Sequence, residues 1–545
     1  MSHETGTHDR WDTAVVAWTT AKRAMRSATG WGLLFGALVF NEMASYHNNF
    51  PTMAARENLA HAFGGNAAFT ALMGPARRLD TVGGWVAWRV FVLLITVGAI
   101  WGLLTATRLL RREEDAGRWE LLLAGRTSRR HATAQALAGL AAGWAVLWAL
   151  TAVFTVLAGS RSGVGISAPA SLFYATAATA SAAMFLAIGA LASQLTATRR
   201  QASGLAAAIY VAAFLIRTVA DSFAGLAWLR WASPLGWVES LHPLTSAQPL
   251  ALVPIAGLTA SAAVAAVVIA GHRDLGAAVL ARHRPAQDST RLLGGAAMLV
   301  VRLERWAALA WIGGIALLAL IFGMVARSAA GAHLGAATVE QQVARLGGHQ
   351  GGATAAWIGY EFAYLAALIA FAAATQVSAT RGEEADGRVD NLLARHLHRG
   401  TWLAGRLGFG VALVLSAGLA TGVGGWLGAA ARHGGIGLAA MSQTGLNVAI
   451  PGLFILGVGT LLYGVTPRFA ASALYVLVLW SFLVEIIGTS ITSNHWLLDT
   501  TVLTHLGPVP AISLHWTAIA WLTGLGAAAA LAGLAAFGRR DLAAA

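Results

Sequence analysis

The chain has 545 residues, of which 57% are hydrophobic and only 11% are charged. A soluble protein of this length would need more charge to cover its surface, so the composition excludes an ordinary soluble protein and indicates a membrane protein. The sequence contains no cysteine, which excludes disulfides, thiolate metal ligands and cysteine nucleophiles.

Apolar runs of the length that crosses a bilayer as a helix recur along the whole chain. The first run starts at Trp31 and is followed by Glu42 without a small-residue cleavage pattern, which favours an uncleaved span. We therefore predict an all-α integral membrane protein with twelve transmembrane helices. The predicted spans lie near residues 31–46, 86–107, 133–158, 171–196, 202–220, 250–270, 305–326, 355–377, 403–429, 446–465, 469–489 and 515–537.

The distribution of basic residues predicts the orientation of these spans. Lys and Arg accumulate in cytoplasmic segments, and most of the 37 basic residues lie on the same side as the N-terminus if twelve spans are drawn. Both termini are therefore expected in the cytoplasm, and the chain is expected in the plasma (inner) membrane. This distribution also explains the net charge of +13, with contacts to anionic lipid as a by-product and without a nucleic-acid partner.

The sequence contains an internal repeat that relates its two halves. The segment RREEDAGRWELLLAGRTSRR, which begins at Arg111, aligns without a gap with RGEEADGRVDNLLARHLHRG, which begins at Arg381. Two further pairs keep nearly the same offset, namely GHRDLGAA from Gly271 with GRRDLAAA from Gly538, and Thr198-x-Arg200 with Thr466-x-Arg468. The repeat predicts six spans plus six spans in parallel orientation, related by a pseudo-twofold axis along the membrane normal.

The expected organisation follows from the spans and the repeat. We predict a cytoplasmic N-terminus with an elbow helix at 1–30, a first six-span half at 31–278, a cytoplasmic linker with a second elbow helix at 279–304, and a second six-span half at 305–545.

The repeated charged segment predicts a short interfacial helix between the second and third spans of each half. Glu114 and Arg118, like Glu384 and Arg388, are spaced i,i+4 with the acid first, which is the favourable order. A solvated loop with weak surface ion pairs is the alternative. Such a loop would not require the same order of charges twice beside apolar residues, whereas a docking surface for a cytoplasmic partner explains both. The candidate docking residues are Arg111, Glu113, Glu114, Gly117, Arg118, Glu120 and Leu122, and Arg381, Glu383, Glu384, Gly387, Arg388, Asp390 and Leu392.

At these residues the chain resembles the permeases of ABC-2 type (type V) exporters. It is most similar to the fused twelve-span actinobacterial permeases known as exporters of polyketide antibiotics, or tetronasin-resistance-like permeases. The resemblance covers nearly the whole chain. It rests on the repeated signature E-E-x-x-G-R-x-[ED]-x-L-L-A, on both R-D-L half-endings, and on YHNNFPT from Tyr46, DTVGGWVAWR from Asp80 and WASPLGWVESLHPL from Trp231. The second half departs from the pattern because no SPLGW-like stretch precedes its last span.

The resemblance implies a mechanism and a partner. The repeated segment would be a coupling helix on an ATPase subunit, and two such subunits would close on ATP and tilt the two halves. Val15 to Gly30 would form an amphipathic elbow helix, and the segments 231–244 and 495–510 would form short re-entrant or external helices. Because the only lysine is Lys22, without a Gly-rich loop before it, the chain holds no P-loop. ATP and Mg would then bind to two copies of a separate ATPase, and this chain would bind no cofactor.

Ionisable residues within spans form a second set of candidates, since they are costly in a bilayer. Glu361 lies in the eighth span, and Arg217 and Glu485 occupy equivalent positions near the outer ends of the fifth and eleventh spans. In the family the fifth span borders the translocation path, so Arg217 and Glu485 are hypothesised to face each other as an outer gate or substrate contact, with Tyr210 and Phe214 nearby. The alternative is that each charge snorkels separately to the interface.

The function that the sequence favours best is the membrane subunit of an ATP-driven exporter of hydrophobic or amphipathic compounds. An ion-coupled secondary transporter and a polytopic envelope enzyme or assembly protein are the alternatives. The spans hold few acids for proton coupling, and the outer acids Asp80, Asp221 and Asp499 are isolated in the sequence. His396 and His398 point to different sides of a helix, so no metal site and no catalytic residue is predicted.

Overall fold

A computed structural model describes residues 15–64, 70, 73–115, 117, 128–222, 224–272, 294–331, 352–394, 397–484 and 500–540. These residues form helices joined by turns, with no β-strand among them. The chain divides into two compact units, Met1–Pro285 and Ala286–Ala545, which we call the first half and the second half.

The helices of the first half begin at positions that their sequence favours. Ser128, Ser167 and Ser233 each cap a helix by accepting a hydrogen bond from a backbone N–H in its first turn. The helices are α1 (Val15–Asn49), α2 (Met53–Gly64), α3 (Val82–Arg89), α4 (Phe91–Leu109), α5 (Arg111–Asp115), α6 (Arg129–Gly159), α7 (Ala168–Leu195), α8 (Arg199–Ser222), α9 (Pro234–Glu239) and α10 (Leu252–His272), with 3-10 helices at Ala224–Ala232 and Pro249–Ala251.

The second half has longer helices and one interior proline. Pro451 lies inside a continuous helix, where it removes one backbone hydrogen bond. The helices are α11 (Ala296–Gly331), α12 (Gly352–Ala385), α13 (Arg388–Leu393), α14 (Arg399–Ala431), α15 (Leu438–Val465), α16 (Pro467–Leu483) and α17 (Trp516–Arg539).

Ten helices within the described residues are long and apolar enough to cross a membrane. They coincide with ten of the twelve predicted spans. The first predicted span lies in α1, which carries Lys22, Arg23 and Arg26 before its apolar part. The predicted span 469–489 overlaps α16, which is apolar but has only 17 residues, and its residues 485–489 lie outside the described residues. The prediction of an all-α membrane fold is confirmed.

The elbow helix predicted for Val15 to Gly30 is not a separate element. It is continuous with the first span in α1, which has 35 residues and is therefore about 52 Å long. No proline interrupts it, and α6 packs against it at both Gly139 and Gly36, which explains why it stays helical. In the second half, residues 296–304 of the predicted linker form the first turns of α11, and residues 279–293 lie outside the described residues.

Both halves pack their helices in the same order. The most extensive pairs are α1 with α6, α4 with α7, and α7 with α10, and their counterparts are α11 with α14, α12 with α15, and α15 with α17. Small residues allow the close approach: a Cβ on Gly428 would lie 2.0 Å from the carbonyl oxygen of Leu320, and one on Gly457 would lie 2.1 Å from that of Gly526. Such contacts between small residues bring membrane helices together.

Candidate functional site

The charged motif lies at one end of each half, which we call the motif side. The first motif segment comprises the described residues 111–115 and 117, and the second motif segment comprises residues 381–394. The glycines of the two copies, Gly117 and Gly387, have φ of 70° and 68°. This left-handed conformation favours glycine and ends a helix. In the second copy it separates the last turn of α12 from α13.

The predicted ion pair between Glu384 and Arg388 is not formed. Gly387 turns the chain between them, so the two residues do not belong to one helix and the i,i+4 geometry is lost. Instead, Glu384 binds Arg540 at 2.7 Å, and the exposed Arg388 binds Asp386 at 3.1 Å. In the first copy Glu114 binds Arg111 at 3.0 Å. The other predicted docking residues of the first copy, Arg118, Glu120 and Leu122, lie outside the described residues.

The two glutamates of the second motif segment are buried within their own half. Glu383 pairs with Arg406 of α14, whose guanidinium is also 3.8 Å from Glu304 of α11. The carboxylate of Glu384 lies 3.9 Å from Arg381 in addition to its bond to Arg540. Buried carboxylates need such counter-charges, so these pairs attach the motif to the membrane helices around it.

Arg540 contacts several elements at this end of the second half. Its guanidinium lies 5.2 Å from the ring centre of Tyr463 and 5.4 Å from that of Phe537. Its backbone carbonyl accepts a hydrogen bond of 2.8 Å from Arg399 at the start of α14. Arg540 therefore joins the end of α17 to α14, to α15 and to the motif.

The first motif segment is attached through Arg111, whose side chain is only 1% exposed. The guanidinium donates to the carbonyl of Ala197 at 3.1 Å and pairs with Glu114 and Asp115. Asp115 in turn accepts a hydrogen bond of 3.0 Å from the backbone N–H of Arg199 at the start of α8. These bonds fix the segment to the turn between α7 and α8.

The second motif segment also presents a polar surface. Val389 is buried, and Leu392 and Leu393 pack against the core of the half. On the other side, the exposed residues are Asp386, Arg388, Asp390 and Asn391. The short helix α13 is therefore amphipathic, with its polar face open and its apolar face packed on the spans.

A buried ionic cluster lies at the opposite end of the first half. Arg217 of α8 is fully buried, 3.6 Å from Glu239 and 3.9 Å from Asp221. Asp221 accepts two hydrogen bonds from Arg230, at 2.7 and 3.1 Å. The cluster fixes the 3-10 helix at Ala224–Ala232 and α9 to the end of α8.

Two groups of this cluster have shifted pKa values. Burial raises the pKa of Glu239 to about 8, and the neighbouring carboxylate of Asp221 adds to the effect while Arg217 opposes it. Burial lowers the pKa of His242 to about 4, assisted by Arg77 and Arg230. His242 is therefore neutral at neutral pH, and Glu239 changes its charge near that pH.

The structure brings together three of the five residues predicted for the gate or substrate path. Tyr210, Phe214 and Arg217 lie on one face of α8, with the two rings 6.2 Å apart and the guanidinium 5.0 Å from the centre of the Phe214 ring. Glu361 lies in α12 of the second half. Glu485 lies outside the described residues, so its hypothesised pairing with Arg217 stays a prediction. The alternative that Arg217 snorkels to the interface is wrong, because its side chain is buried and paired within its own half.

Sequence reasoning missed several of the residues that build these sites. Asp221 was taken as isolated, yet it is buried between two arginines. The i,i+4 spacing of Arg217 and Asp221 was the available signal. Arg540 belongs to an R-D-L half-ending that served only as a repeat marker. Arg406 and Glu239 have no signal in the sequence, because their partners are distant along the chain.

The repeated helix order, the small-residue packing and the paired charged segments define a polytopic helical permease. The ABC-2 family transporter protein model matches residues 14–228, and the model of the Rv1217c multidrug efflux permease C-terminal domain matches residues 293–538. The multidrug efflux system permease protein Rv1217c of Mycobacterium tuberculosis (strain ATCC 25618 / H37Rv) is 30% identical over 505 residues, which cover 92% of this chain and 89% of the relative. The chain belongs to the ABC-2 type transporter permease family, and it is a membrane-embedded transport subunit.

Proposed function

We propose that the chain is the permease of an ATP-driven exporter that moves hydrophobic or amphipathic compounds out of the cell. Two copies of a separate nucleotide-binding subunit would hydrolyse ATP with Mg and would dock on the two motif segments. The observation that carries this proposal is the open polar face of α13, which is attached to the spans through buried ion pairs. Such a face suits a protein partner outside the membrane.

Separate observations support the orientation and the substrate class in this proposal. The basic residues of both sequence repeats lie on the motif side. Their position supports a cytoplasmic location for the motif side and for both termini of a plasma-membrane protein. The relative's name specifies multidrug efflux, and the aromatic pair of Tyr210 and Phe214 with Arg217 would suit an amphipathic compound. Arg217, Tyr210, Phe214, Glu361 and Glu485 remain our candidates for the path.

The docking proposal is tested with substitutions on the open face of α13. Glu384 is unsuitable because its side chain is buried and paired with Arg540, so its loss would disturb the fold. Arg388→Glu combined with Asp390→Arg changes exposed charges only. The chain would be co-expressed with a nucleotide-binding ATPase subunit of the same transporter class from its own genome, purified in nanodiscs, and assayed for bound ATPase and ATP turnover.

We expect the double variant to lose at least tenfold in ATPase binding. The matched control is Glu57→Arg, which reverses an exposed charge on α2, at the end of the first half opposite the motif. The control should bind ATPase as the wild type does. Wild-type binding and turnover in the double variant would exclude α13 as the docking element. A wild-type chain that binds no ATPase would overturn the exporter proposal itself.

A further inference from the structure

The glutamates of the second motif segment serve a different purpose from its exposed residues. Their carboxylates are turned into the half, and the closest charged partner of each comes from outside the segment: Arg406 from α14 and Arg540 from the end of α17. The exposed residues of α13 follow directly after Gly387. A docking face and a set of internal attachments therefore adjoin each other within one short stretch.

These attachments join the motif to several membrane helices. Arg406 also contacts Glu304 of α11, and Arg399 of α14 donates to the carbonyl of Arg540. Covalently, the segment is continuous with only α12 and α14. The ion pairs extend its connections to α11 and α17. Because a buried carboxylate without its counter-charge costs several kcal/mol, these bonds are expected to persist while the segment moves.

A small pocket lies beside this cluster. A cavity is lined by the polar side chains of Gln376, Thr380, Arg406 and Thr460, together with Tyr463. Arg406 and Tyr463 thus lie between the motif and an imperfectly filled space in the second half.

We propose that Arg406 and Arg540 are positioning residues for coupling, which convert a displacement of α13 into a displacement of α14 and α17. They act through Glu383 and Glu384 and do not contact the ATPase. This inference rests on the proposed function, since it assumes that an ATPase displaces α13. It assigns the glutamates of the motif to the permease side of the coupling site and the residues after Gly387 to the ATPase side.

The absence of cysteine allows a test with single spin labels. Asn391→Cys places a label on the exposed face of α13, and Gly538→Cys places one on exposed α17, where a Cβ meets no other atom within 4 Å. Each would be combined with Arg540→Gln, which removes the charge, or with Arg540→Lys, which keeps it. Bound ATPase, label mobility and the change on adding a non-hydrolysable ATP analogue would be measured.

In Arg540→Gln we expect higher label mobility at residue 391, wild-type amounts of bound ATPase, and a loss of at least fivefold in the nucleotide-dependent change at residue 538. Arg540→Lys should keep that change. A role in folding alone would lower the amount of protein without separating the two variants. An unchanged nucleotide response at residue 538 in Arg540→Gln would overturn the proposal.

Failure of the proposed function can be distinguished from failure of the coupling role of Arg540. If the wild-type chain binds no ATPase, the proposed function fails, and the coupling role of Arg540 fails with it. The label at residue 391 responds without any ATPase, so it still decides whether Arg540 holds the segment. Unchanged mobility there in Arg540→Gln would show that the attachment itself is absent.

Discussion

The two motif segments have the same order of charges but bind their glutamates differently. In the first half Glu113 pairs with Arg23 of α1, whose side chain is 51% exposed. In the second half the equivalent Glu383 pairs with Arg406 of α14, which is 3% exposed. Glu114 lies 3.0 Å from Arg111 of its own segment, and Glu384 lies 3.9 Å from the equivalent Arg381 and 2.7 Å from Arg540 after α17. The repeat has thus kept both acids and the arginine three residues before the second acid, while an arginine of α1 pairs with the first acid in one half and an arginine of α14 in the other.

The opposite ends of the two halves also differ. The first half has the ionic cluster around Arg217. Among the described residues of the second half, the corresponding region is held by neutral hydrogen bonds, from Trp480 to Thr500 and from Asn447 to the carbonyl of Gly507.

The largest effect is expected from removing the buried counter-charge of the second motif. Arg406→Gln leaves Glu383 and Glu304 without their guanidinium. Loss of one partner from a buried pair costs about 3–5 kcal/mol, so the free energy of unfolding should fall by that order. Thermal unfolding in nanodiscs measures it.

A second substitution shows whether the uncompensated carboxylate causes this loss. Adding Glu383→Gln to Arg406→Gln should recover part of the stability, because one unpaired charge is removed. Arg388→Gln is the matched control, since that arginine is 63% exposed and should change stability by no more than about 0.5 kcal/mol. A double variant as unstable as the single one would contradict the explanation by charge burial.

The next effect concerns pH and the cluster of the first half. The pKa of Glu239 is raised to about 8 from 4.5, so the folded state holds this proton more tightly than the unfolded state. The associated stability is present below pH 4.5 and is lost as pH rises through 8. Wild-type stability should therefore fall between about pH 4.5 and about pH 8, and Glu239→Gln, which cannot ionise, should remove much of that slope.

The measurement is thermal unfolding of both proteins across this pH range. Glu57→Gln serves as the control because Glu57 is an exposed acid on α2, and it should leave the slope unchanged. The same slope in Glu239→Gln as in the wild type would mean that another group carries the pH dependence. It would also remove the titratable difference between the opposite ends of the two halves.

The sequence predicted the features that depend on local pattern. Apolar length located the spans, and the repeat located both motif segments, because each signal lies within a short stretch of chain. The sequence failed where a contact joins distant positions. Arg540 meets Glu384 across 156 residues, and no spacing rule relates them.

One wrong prediction, the ion pair of Glu384 with Arg388, came from a local sequence pattern. The i,i+4 spacing of Glu384 and Arg388 predicts a pair only if the intervening residues are helical. Gly387 lies between them with φ of 68°, and the glycine at the same place in both copies was the available warning. The prediction also separated an elbow helix at Val15 to Gly30 from the first span. Nothing in that stretch ends a helix, and α1 is continuous through it.

Replacing the left-handed glycine of either motif segment should lower the free energy of unfolding by the same, smaller amount. Gly387→Ala and Gly117→Ala both place a side chain at positive φ, with no other atom within 4 Å of the new Cβ. Only backbone strain opposes them, and it costs about 1–2 kcal/mol. Gly382→Ala is the control, since it lies within helical α12 with open space around it and alanine favours a helix by about 1 kcal/mol. Unfolding measurements in which Gly387→Ala is no worse than Gly382→Ala would exclude the left-handed turn.

The smallest effect is expected where the first motif meets α1. Arg23→Gln removes the partner of Glu113, 3.0 Å away. Because the arginine is half exposed, water can replace it, and such pairs contribute about 0–1 kcal/mol. The loss should therefore be several times smaller than that of Arg406→Gln, although both arginines serve equivalent acids.

High salt should further distinguish the exposed pair of Arg23 and Glu113 from the buried pair of Arg406 and Glu383. An exposed pair is screened at high ionic strength, whereas a buried pair is screened much less. The difference in unfolding temperature between Arg23→Gln and the wild type should shrink as salt is raised, while that of Arg406→Gln should persist. Equal losses and equal salt responses in the two variants would mean that burial does not decide how strongly each half holds its motif. The repeat would then be symmetric in energy even though its partners differ.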